Sequence, residues 1–345
     1  MSGIIGYGLY IPKYRIETAE IAKMWQKDPM EIFTGLKVRQ KSIHGIDEDT
    51  VTISIEAGKR AISMAGIKAS VLQAVYIGSE SHPYAVNPTS TTVAEYLGVG
   101  NDYFAADLEF ACKAGTAGMQ VLVGLLSAGE IDYGLVIGAD AAQGKPHDAL
   151  EYTAASAGAA YILGKKKAEI IADILCMSSF SSDTPDFWRR EGQRYPSHFG
   201  RFTGEPAYFA HVVAEGKKLL SQSKLTAKDF DYCVFHMPNG KFPRVAGKKL
   251  GFTPEQLAPS LTVDSIGNPY SASSLVGLGA VLDIAKPNQK IFFISYGSGA
   301  GSDGFVFETT KNILTKRKKS ISFTEETENT VKISYQQYLK QTHSI

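Results

Sequence analysis

The sequence predicts an α/β protein in which a duplicated unit forms five layers in the order αβαβα. Strand-like apolar runs alternate with helix-like runs along the chain, which is typical of layered α/β folds with mostly parallel sheets. The segments 113–129 and 271–285 are apolar on every side, and such helices are usually buried rather than amphipathic. We therefore expect these two helices to lie at the centre of the fold, between two sheets.

An internal repeat is the basis for predicting a duplicated unit. One apolar run ends at Glu80, and a later apolar run ends at His236. These two residues are separated by the same 156 residues that separate Cys112 from Asn268. Because the halves of a duplicated fold stack on each other, equivalent strand ends meet near their pseudo-twofold axis. We expect these four side chains to share one pocket.

The elements of the first half follow from apolar patterns and helix-end signals. The helix predicted over 49–66 has Asp49 or Thr50 as its N-cap and Gly66 as its C-terminal stop. A shorter helix is predicted over 87–98, before the central helix. Strands are predicted at 3–12, 74–80, 103–109, 133–140 and 158–164.

The second half contains a corresponding series of elements. A helix is predicted near 206–222, and further apolar runs occur at 169–179, 232–238, 244–251, 261–265, 271–285, 290–297 and 304–310. We therefore divide the chain into two halves. Residues 1–165 hold the carboxylate and the thiol, and residues 166–345 hold the imidazole, the amide and a polar C-terminal tail.

Several segments do not fit the repeat. Residues 13–48, 141–157 and 178–205 are long, irregular insertions, which on a compact fold are usually functional or disordered. The tail from residue 310 is more polar than the rest of the chain. Its basic run at 316–319 is interpreted as solvated surface charge, and a binding role is the less favoured alternative.

Composition excludes some classes of function. The chain has 345 residues and a formal net charge of +1, so the overall charge gives no reason to expect nucleic acid or a membrane surface as partner. Three cysteines are too few for a disulfide framework, and Cys176 and Cys233 are predicted to be buried small hydrophobic residues. No signal peptide and no apolar run near the ~18 residues of a membrane span is present. We infer a reduced, cytoplasmic setting.

Cys112 is the candidate nucleophile. It lies between a strand and the N-terminus of a buried helix, where partial positive charge and free N–H groups are expected to lower the pKa of a thiol. The small residues around it permit tight helix packing and close approach by a substrate. A buried structural cysteine is the alternative interpretation, and the strand-to-helix position favours the nucleophile.

Glu80 and His236 are the candidate acid–base residues. A carboxylate that is partly removed from water has a raised pKa and can act as a base near neutral pH. The alternative for Glu80 is a surface loop residue, and from the sequence alone the two readings are evenly balanced. A lone histidine near a core is more often a structural residue than a catalyst, and only the equivalence of His236 to Glu80 favours catalysis. No histidine has ligand spacing with a cysteine or an acidic cluster, so we expect no metal site.

Asn268 and Ser298 are the remaining candidates in the pocket. Asn268 in G-N-P-Y-S is either a turn residue or an amide donor directed at His236 or at a substrate carbonyl. Ser298 lies in the glycine-rich segment 296–304, whose exposed N–H groups are suited to holding an oxyanion. This segment is not a phosphate-binding or dinucleotide-binding fingerprint, because neither consensus is present.

Six motifs carry a resemblance to a known family. They are G-S-E-S at 78–81, E-F-A-C-K-A-G-T-A-G at 109–118, R-F-T-G-E-P-A-Y at 201–208, F-H-M-P-N-G-K-F-P-R at 235–244, G-N-P-Y-S-A-S at 267–273 and Y-G-S-G-A-G-S-D at 296–303. The chain resembles the condensing enzymes of the thiolase superfamily and, among them, the archaeal type of the 3-hydroxy-3-methylglutaryl-CoA synthase family. The tail after residue 310 adds nothing to this resemblance.

The resemblance implies a thiolase-like fold and a three-stage reaction in the mevalonate route to isoprenoids. Cys112 would attack acetyl-CoA and become an acetyl thioester. Glu80 would remove a proton from the acetyl methyl group, and the enolate would attack the ketone of acetoacetyl-CoA. His236 would then protonate the alkoxide with Asn268 orienting it, and water would release the product. No cofactor is implied.

Some candidate residues for binding CoA and the acyl group are predicted from their positive charge, and others are implied by the resemblance. Lys241 and Arg244 follow His236 closely and offer positive charge to the CoA phosphates, although solvated charges at a helix start explain them equally well. The resemblance further implies that Arg201 and Thr203 face the CoA. It also implies that Thr153, and more weakly Asp28, contact the acyl part of the substrate.

The resemblance implies partners, and two alternatives remain open. A homodimer is expected, together with a possible complex with an acetoacetyl-CoA thiolase. The first alternative is a ketoacyl-ACP synthase III-like enzyme, which shares cysteine, histidine and asparagine but does not need Glu80. The second is a catalytically silent scaffold of the same fold.

Overall fold

The computed structural model describes residues 2–141, 144–199, 204–205 and 207–344. The strands are β1 Gly3–Tyr10, β2 Tyr14–Glu17, β3 Gln40–Ile43, β4 Ala74–Gly78, β5 Phe104–Leu108, β6 Tyr133–Ala141, β7 Ser156–Gly164, β8 Ala172–Ser181, β9 Phe187–Trp188, β10 Ser197–His198, β11 Tyr232–Phe235, β12 Lys290–Ile294, β13 Gly301–Thr309 and β14 Val331–Lys332. The helices are α1 Thr18–Met24, α2 Pro29–Leu36, α3 Thr50–Ala65, α4 Thr89–Leu97, α5 Ala114–Ala128, α6 Tyr208–Ser223, α7 Phe242–Leu250, α8 Pro254–Leu257, α9 Val263–Ile266, α10 Ser273–Ile284, α11 Ile313–Lys316, α12 Phe323–Glu328 and α13 Tyr335–Gln341.

Each half of the chain contributes its own set of strands to the main sheet. The strand order is β11-β12-β13-β8-β1-β7-β6-β4-β5, and within the described residues the two sets join only where Gly3 and Ile4 of β1 pair with Asp173 and Ala172 of β8. Because this junction is so short, the two sets behave as two packed sheets. The chain therefore has the duplicated, layered arrangement that the sequence predicts.

The prediction of mostly parallel sheets is wrong. Among the described strands of the main sheet, β4 pairs parallel with β5 and β6, and β11 pairs parallel with β12, whereas the other neighbours in this sheet are antiparallel. The reason is how the last two strands of each set are connected. No crossover helix intervenes between β6 and β7 or between β12 and β13 in the described residues, and without such a crossover consecutive strands pair antiparallel.

Three apolar clusters fill the spaces between the five layers. The central cluster contains side chains of α5 and α10, including Met119, Leu122, Leu278 and Val281, packed against both sets of strands. A second cluster joins α3 and α4 to the outer face of the first half, and a third joins α6 and α7 to the outer face of the second. The predicted αβαβα order is confirmed. Helix α10 is buried all round from Ser273 to Leu282, although Ile284 at its end is 50% exposed, whereas α5 has Val121 41% exposed on one face.

The two halves are not complete copies. Residues equivalent to β5 lie near 261–265 in the second half, and there the chain forms turns and α9 instead of a strand. Ser260 stabilises these turns, because its hydroxyl donates to the carbonyls of Cys233 and Leu257. In the described residues, β5 therefore has no counterpart strand in the second half, where the sheet ends at β11.

The C-terminal tail is folded onto the first half. Strand β14 pairs with β2, and Tyr338 of α13 is buried against this added layer. The basic run is only partly solvated: Lys316 donates to the carbonyls of Ile5 and Ala65, and Arg317 donates to those of residues 283 and 285. The interpretation of the whole run as solvated charge is therefore wrong for its first two residues. None of the described helices is long and apolar enough to cross a bilayer.

Candidate active site

One cavity of about 470 Å³ lies where the two halves meet. Its lining residues come from both halves and from the insertions: Leu36, Cys112, Ala149, Leu150, Thr153, Phe187, His198, His236, Pro238, Asn239, Asn268, Tyr270 and Ser298. Glu80 lies directly against it, because the Sγ of Cys112 donates a hydrogen bond to Glu80 Oε1 at 2.7 Å. The four residues related by the repeat are thus brought together at one place.

Cys112 lies on a single turn of 3₁₀ helix, Ala111–Lys113, immediately before α5. Ala111 has a φ of 45°, which is unusual for a residue with a Cβ, and Tyr270, which begins the corresponding turn before α10, has a φ of 46°. The two central helices therefore begin with the same kind of bend; Cys112 lies within it in the first half, whereas Asn268 lies two residues before it in the second. Strain of this kind persists only where the surrounding packing holds it.

Gly78 explains how Glu80 approaches the thiol so closely. A Cβ on Gly78 would lie 2.2 Å from backbone atoms of Ala114 and Gly115, so only glycine allows the end of β4 to pack on the start of α5. Glu80 follows this contact by two residues. Its carboxylate therefore reaches the sulfur as a consequence of close backbone packing.

Burial governs the electrostatics of the Cys112–Glu80 pair. The pKa of Glu80 is raised from 4.5 to about 8, mainly by burial and also by the neighbouring Asp140, while the hydrogen bond with the Cys112 thiol acts in the other direction. The pKa of Cys112 is raised well above its ordinary value by burial and by Glu80, and only the backbone N–H of Ser298 acts in the other direction. The prediction that the helix start lowers the pKa of this thiol is therefore wrong, because desolvation and a neighbouring carboxylate outweigh the helix end.

Asp140 is a site residue that the sequence analysis missed. Its buried carboxylate accepts hydrogen bonds from the Ser79 hydroxyl at 2.7 Å, the Glu80 N–H at 2.8 Å and the Ser81 hydroxyl at 2.7 Å. It also accepts from the N–H and the hydroxyl of Ser271 in the second half, at 2.8 and 2.7 Å. Asp140 thus fixes the backbone of Glu80 to the other half. The available signal was an aspartate at the end of an apolar strand, where unpartnered carboxylates are rare.

His236 is buried at the end of β11. Burial lowers the pKa of its imidazole to about 3, so the ring is neutral at physiological pH. Its backbone carbonyl accepts a hydrogen bond from the Tyr208 hydroxyl at 2.7 Å, which holds this strand end in place. A neutral imidazole can donate an N–H hydrogen bond to a substrate oxygen, but it carries no readily released proton. The role expected for His236, protonation of the alkoxide, therefore does not fit this pKa.

Asn268 lines the same cavity, and of the alternatives that the sequence left open its contacts fit the turn residue. Its Oδ1 accepts from the N–H of Tyr270 at 3.1 Å, and its backbone pairs with Thr153 and Ala155. Among the described residues it makes no hydrogen bond to His236. The side chain is therefore positioned towards the cavity itself rather than as a support for the imidazole.

Thr153 and Ser298 lie in the cavity, whereas the charged candidates for CoA binding lie outside it. Thr153 and Ser298 are lining residues. Lys241 is exposed at the start of α7, and Asp28 is exposed as the N-cap of α2, where it accepts from the Met30 N–H. Neither contacts the four central side chains.

Arg244 is occupied by an ion pair. Its Nη2 lies 2.6 Å and its Nη1 3.2 Å from the two carboxylate oxygens of Asp264, so its charge is already matched. Arg201 and Thr203 lie outside the described residues. The structure therefore gives no position for these two members of the predicted CoA site.

The insertions supply cavity residues that the sequence analysis did not select. Phe187 packs with Cys112, Ala154 and Tyr270 in a small apolar cluster beside the thiol. His198 is paired across the β9–β10 hairpin with Phe187. Long insertions were predicted to be functional or disordered, and nothing in their sequence indicated which side chains reach the cavity. No cluster of three or more metal-ligating side chains occurs in the described part of the chain.

Comparison with known proteins identifies the relatives of this chain. A family model for the C-terminal part of 3-oxoacyl-[acyl-carrier-protein] synthase III matches residues 220–309. The hydroxymethylglutaryl-CoA synthase of Archaeoglobus fulgidus is 53% identical over 345 residues, covering 100% of this chain and 99% of its own. That of Methanosphaera stadtmanae is 54% identical over 340 residues, covering 99% and 98%. The likeness to these relatives therefore extends through the tail after residue 310, contrary to expectation.

Solved structures agree with the fold. The structure of MvaS in complex with 3-hydroxy-3-methylglutaryl coenzyme A has a TM-score of 0.90 at 21% identity, covering 99% of this chain and 91% of that one. The 3-oxoacyl-[acyl-carrier-protein] synthase III of Aquifex aeolicus has a TM-score of 0.81 at 17% identity, covering 89% and 100%. Both likenesses concern the fold.

Proposed function

This chain belongs to the hydroxymethylglutaryl-CoA synthase family, and we propose that it forms its product through an acetyl thioester on Cys112. The reaction condenses acetyl-CoA with acetoacetyl-CoA and water to give 3-hydroxy-3-methylglutaryl-CoA and CoA, in the mevalonate route to isoprenoids. The observation that carries the proposal is the 2.7 Å contact between Cys112 Sγ and Glu80 Oε1 in a cavity that also holds His236.

Acetylation is the first stage. Glu80 accepts the thiol proton, the Cys112 sulfur attacks the carbonyl carbon of acetyl-CoA, and the proton leaves with CoA as its free thiol. The carbonyl oxygen becomes an oxyanion in this step. The backbone N–H groups of Cys112 and Ser298 are the donors we assign to it, since Ser298 lines the same cavity and its backbone lowers the pKa of the Cys112 thiol.

Condensation is the second stage. With CoA released, the Glu80 carboxylate removes a proton from the methyl group of the acetyl thioester. The enolate carbon then attacks the ketone carbon of acetoacetyl-CoA. His236 and Asn268 hydrogen-bond the ketone oxygen as it becomes an alkoxide. The proton that this oxygen gains is the one held by Glu80, because a neutral imidazole with a pKa near 3 is a poor source of protons.

Hydrolysis is the third stage. Water attacks the thioester carbon on Cys112, giving a carboxylate on the product and restoring the thiol. Glu80 is again the base within reach of the reacting sulfur. A single carboxylate thus serves in all three stages, and its raised pKa suits it both to accept and to return a proton near neutral pH.

A steady-state experiment tests this function. CoA release, followed with a thiol reagent, is expected with acetyl-CoA and acetoacetyl-CoA together at a rate far above that with either alone. Cys112→Ser is the matched control and should abolish the signal. The ketoacyl-ACP synthase alternative rests on the shared fold and predicts that Glu80→Ala leaves condensation intact; our proposal predicts that it stops condensation.

Substrate binding extends the proposal beyond the central residues. Thr153 contacts the acyl group, which its place in the cavity wall supports. Lys241 and Arg244 attract the CoA phosphates from the rim, together with Arg201 and Thr203, and Arg244 would exchange Asp264 for a phosphate in doing so. Asp28 is retained as a weaker contributor to the acyl pocket.

A homodimer is part of the proposal. Strand β5 is an exposed edge of the main sheet, with Phe104 51% exposed and Val121 of the neighbouring α5 41% exposed. Apolar side chains on an unpaired edge favour pairing with a second copy. A complex with an acetoacetyl-CoA thiolase follows from the resemblance alone. A cytoplasmic location is supported by Cys112, Cys176 and Cys233, which are all free thiols.

A further inference from the structure

Lys113 follows the nucleophile in the chain and is nevertheless buried. Its ammonium lies 2.8 Å from Asp303 Oδ1, with 3% and 0% of the two side chains exposed. It also lies 3.7 Å above the centre of the Phe110 ring. A buried ion pair contributes little net stability, since the cost of removing both charges from water offsets their attraction. Its presence beside Cys112 therefore calls for another explanation.

Asp303 is the centre of a fully connected set of hydrogen bonds. Besides Lys113, Asp303 Oδ1 accepts from the Ser179 hydroxyl at 2.7 Å, and Oδ2 accepts from the Thr116 hydroxyl at 2.7 Å. Thr116 also lies 2.7 Å from the hydroxyl of Ser295. Lys113 and Thr116 belong to the first half, whereas the other three residues belong to the second. The cluster thus joins the start of α5 to β8, to β13 and to the end of β12.

The residues of the cluster are close in the chain to both N–H groups assigned to the oxyanion. One is that of Cys112, next to Lys113 in the chain. The other is that of Ser298, in the loop between Ser295 and Asp303. This loop packs on the nucleophile turn so closely that a Cβ on Gly297 would lie 3.0 Å from Lys113 Cγ and 2.7 Å from the Phe110 carbonyl oxygen. The separation of the two donors therefore depends on how the two halves are held at this point.

We propose that the Lys113–Asp303 ion pair sets the distance between the two oxyanion donors, by clamping the nucleophile turn of one half to the Ser298 loop of the other. Lys113 and Asp303 are positioning residues, since neither touches the substrate. The inference rests on the proposed function, because it assigns a task to the N–H groups of Cys112 and Ser298. It explains why a charged pair occurs at a place where apolar side chains would pack without the free-energy cost of removing charges from water.

The contact has the properties that a clamp needs. Ala111, at the start of the turn, has a positive φ that must be held by its surroundings. An ion pair with directed hydrogen bonds fixes a distance more closely than apolar contacts, which tolerate sliding. A displacement of about 1 Å at a reacting centre costs on the order of 10²-fold in rate.

The test measures acetylation of Cys112 in variants that neutralise the pair. Wild type, Asp303→Asn and the double variant Lys113→Met/Asp303→Asn are mixed with labelled acetyl-CoA in single-turnover reactions, and the Cys112 peptide is followed by mass spectrometry. The single variant leaves an unpaired buried charge and can fail to fold. The double variant removes both charges and keeps the volume, so it should unfold at a higher temperature than the single variant.

The expected result separates positioning from structural support. In the double variant the acetylation rate constant at saturating acetyl-CoA should fall by about 10²-fold, with the concentration for half-maximal rate little changed, because oxyanion contacts strengthen in the transition state. Arg60→Met is the matched control. It removes another largely buried ion pair, with Glu326 at 2.7 Å, and should lower the unfolding temperature while changing the acetylation rate less than threefold.

Two outcomes would overturn the inference. Acetylation of the folded double variant at the wild-type rate would show that the pair only supports the fold. An equal loss of rate in Arg60→Met would show that any weakening of the fold slows the reaction. If wild type itself does not become acetylated at Cys112, the proposed function fails instead, so the two failures are distinguishable.

Discussion

The protonation of Glu80 should control the rate at which Cys112 is acetylated, and pH is the perturbation that reveals it. Burial and the neighbouring Asp140 raise the pKa of this carboxyl from 4.5 to about 8. Acetylation needs the form of the Cys112–Glu80 pair that has lost one proton, and that form is gained as pH rises through the apparent pKa of the pair. The rate should therefore fall by about 50-fold between pH 8 and pH 6, and by about tenfold for each further pH unit below that.

The acetylation rate is measured by rapid quench at pH 5.5 to 9, with the intact mass of the protein as the readout. This gives the rising limb of the pH–rate profile directly. Glu80→Gln provides the comparison, because it removes the proton acceptor but keeps the size of the side chain. Its limb should move to the higher pH at which the buried thiol itself ionises. A wild-type rate that is constant from pH 5.5 to pH 9, or a limb centred near 4.5, would refute the reasoning.

Three further predictions concern stability, condensation and assembly. The raised pKa of Glu80 means that the folded state binds a proton more tightly than the unfolded state, so stability is lost as pH rises from 4.5 to about 8; Glu80→Gln should raise the melting temperature at pH 8 and have little effect at pH 4.5. His236→Ala should retain acetylation of Cys112 but lower condensation at least 10²-fold, measured as product formed per acetyl-enzyme; equal loss of both steps would contradict its role. Phe104→Lys should shift the protein from dimer to monomer in analytical ultracentrifugation, since it places a charge on the exposed edge of β5, and an unchanged dimer would place the interface elsewhere.

The architecture was predictable because its signals are local and repeated. The constant spacing between the halves and two helices without a polar face were sufficient to indicate five layers and a shared pocket. Strand direction was not predictable in the same way, because it depends on whether a crossover helix or a short loop joins consecutive strands. The segment 261–265 illustrates the limit, since its apolar pattern resembles a strand but Ser260 holds it in turns.

The candidate site was predictable in its central members but not in its electrostatics. The positions of Glu80 and Cys112 relative to strand ends indicated that they would meet. The direction of the pKa shift of the thiol depended on how deeply both groups are buried and on Asp140, and neither is visible in a linear pattern. Side chains from the insertions, such as Phe187 and His198, were missed because irregular segments carry no periodicity from which to place them.

The most direct test of the account is a chase of acetyl-enzyme. Enzyme is treated with carbon-13-labelled acetyl-CoA, and the remaining acetyl-CoA and CoA are removed. The acetyl-enzyme is then mixed with unlabelled acetoacetyl-CoA, and the Cys112 peptide and the products are followed by mass spectrometry. The account predicts label on Cys112 that disappears as labelled 3-hydroxy-3-methylglutaryl-CoA forms. Label on another residue, or label on Cys112 that acetoacetyl-CoA does not remove, would contradict it.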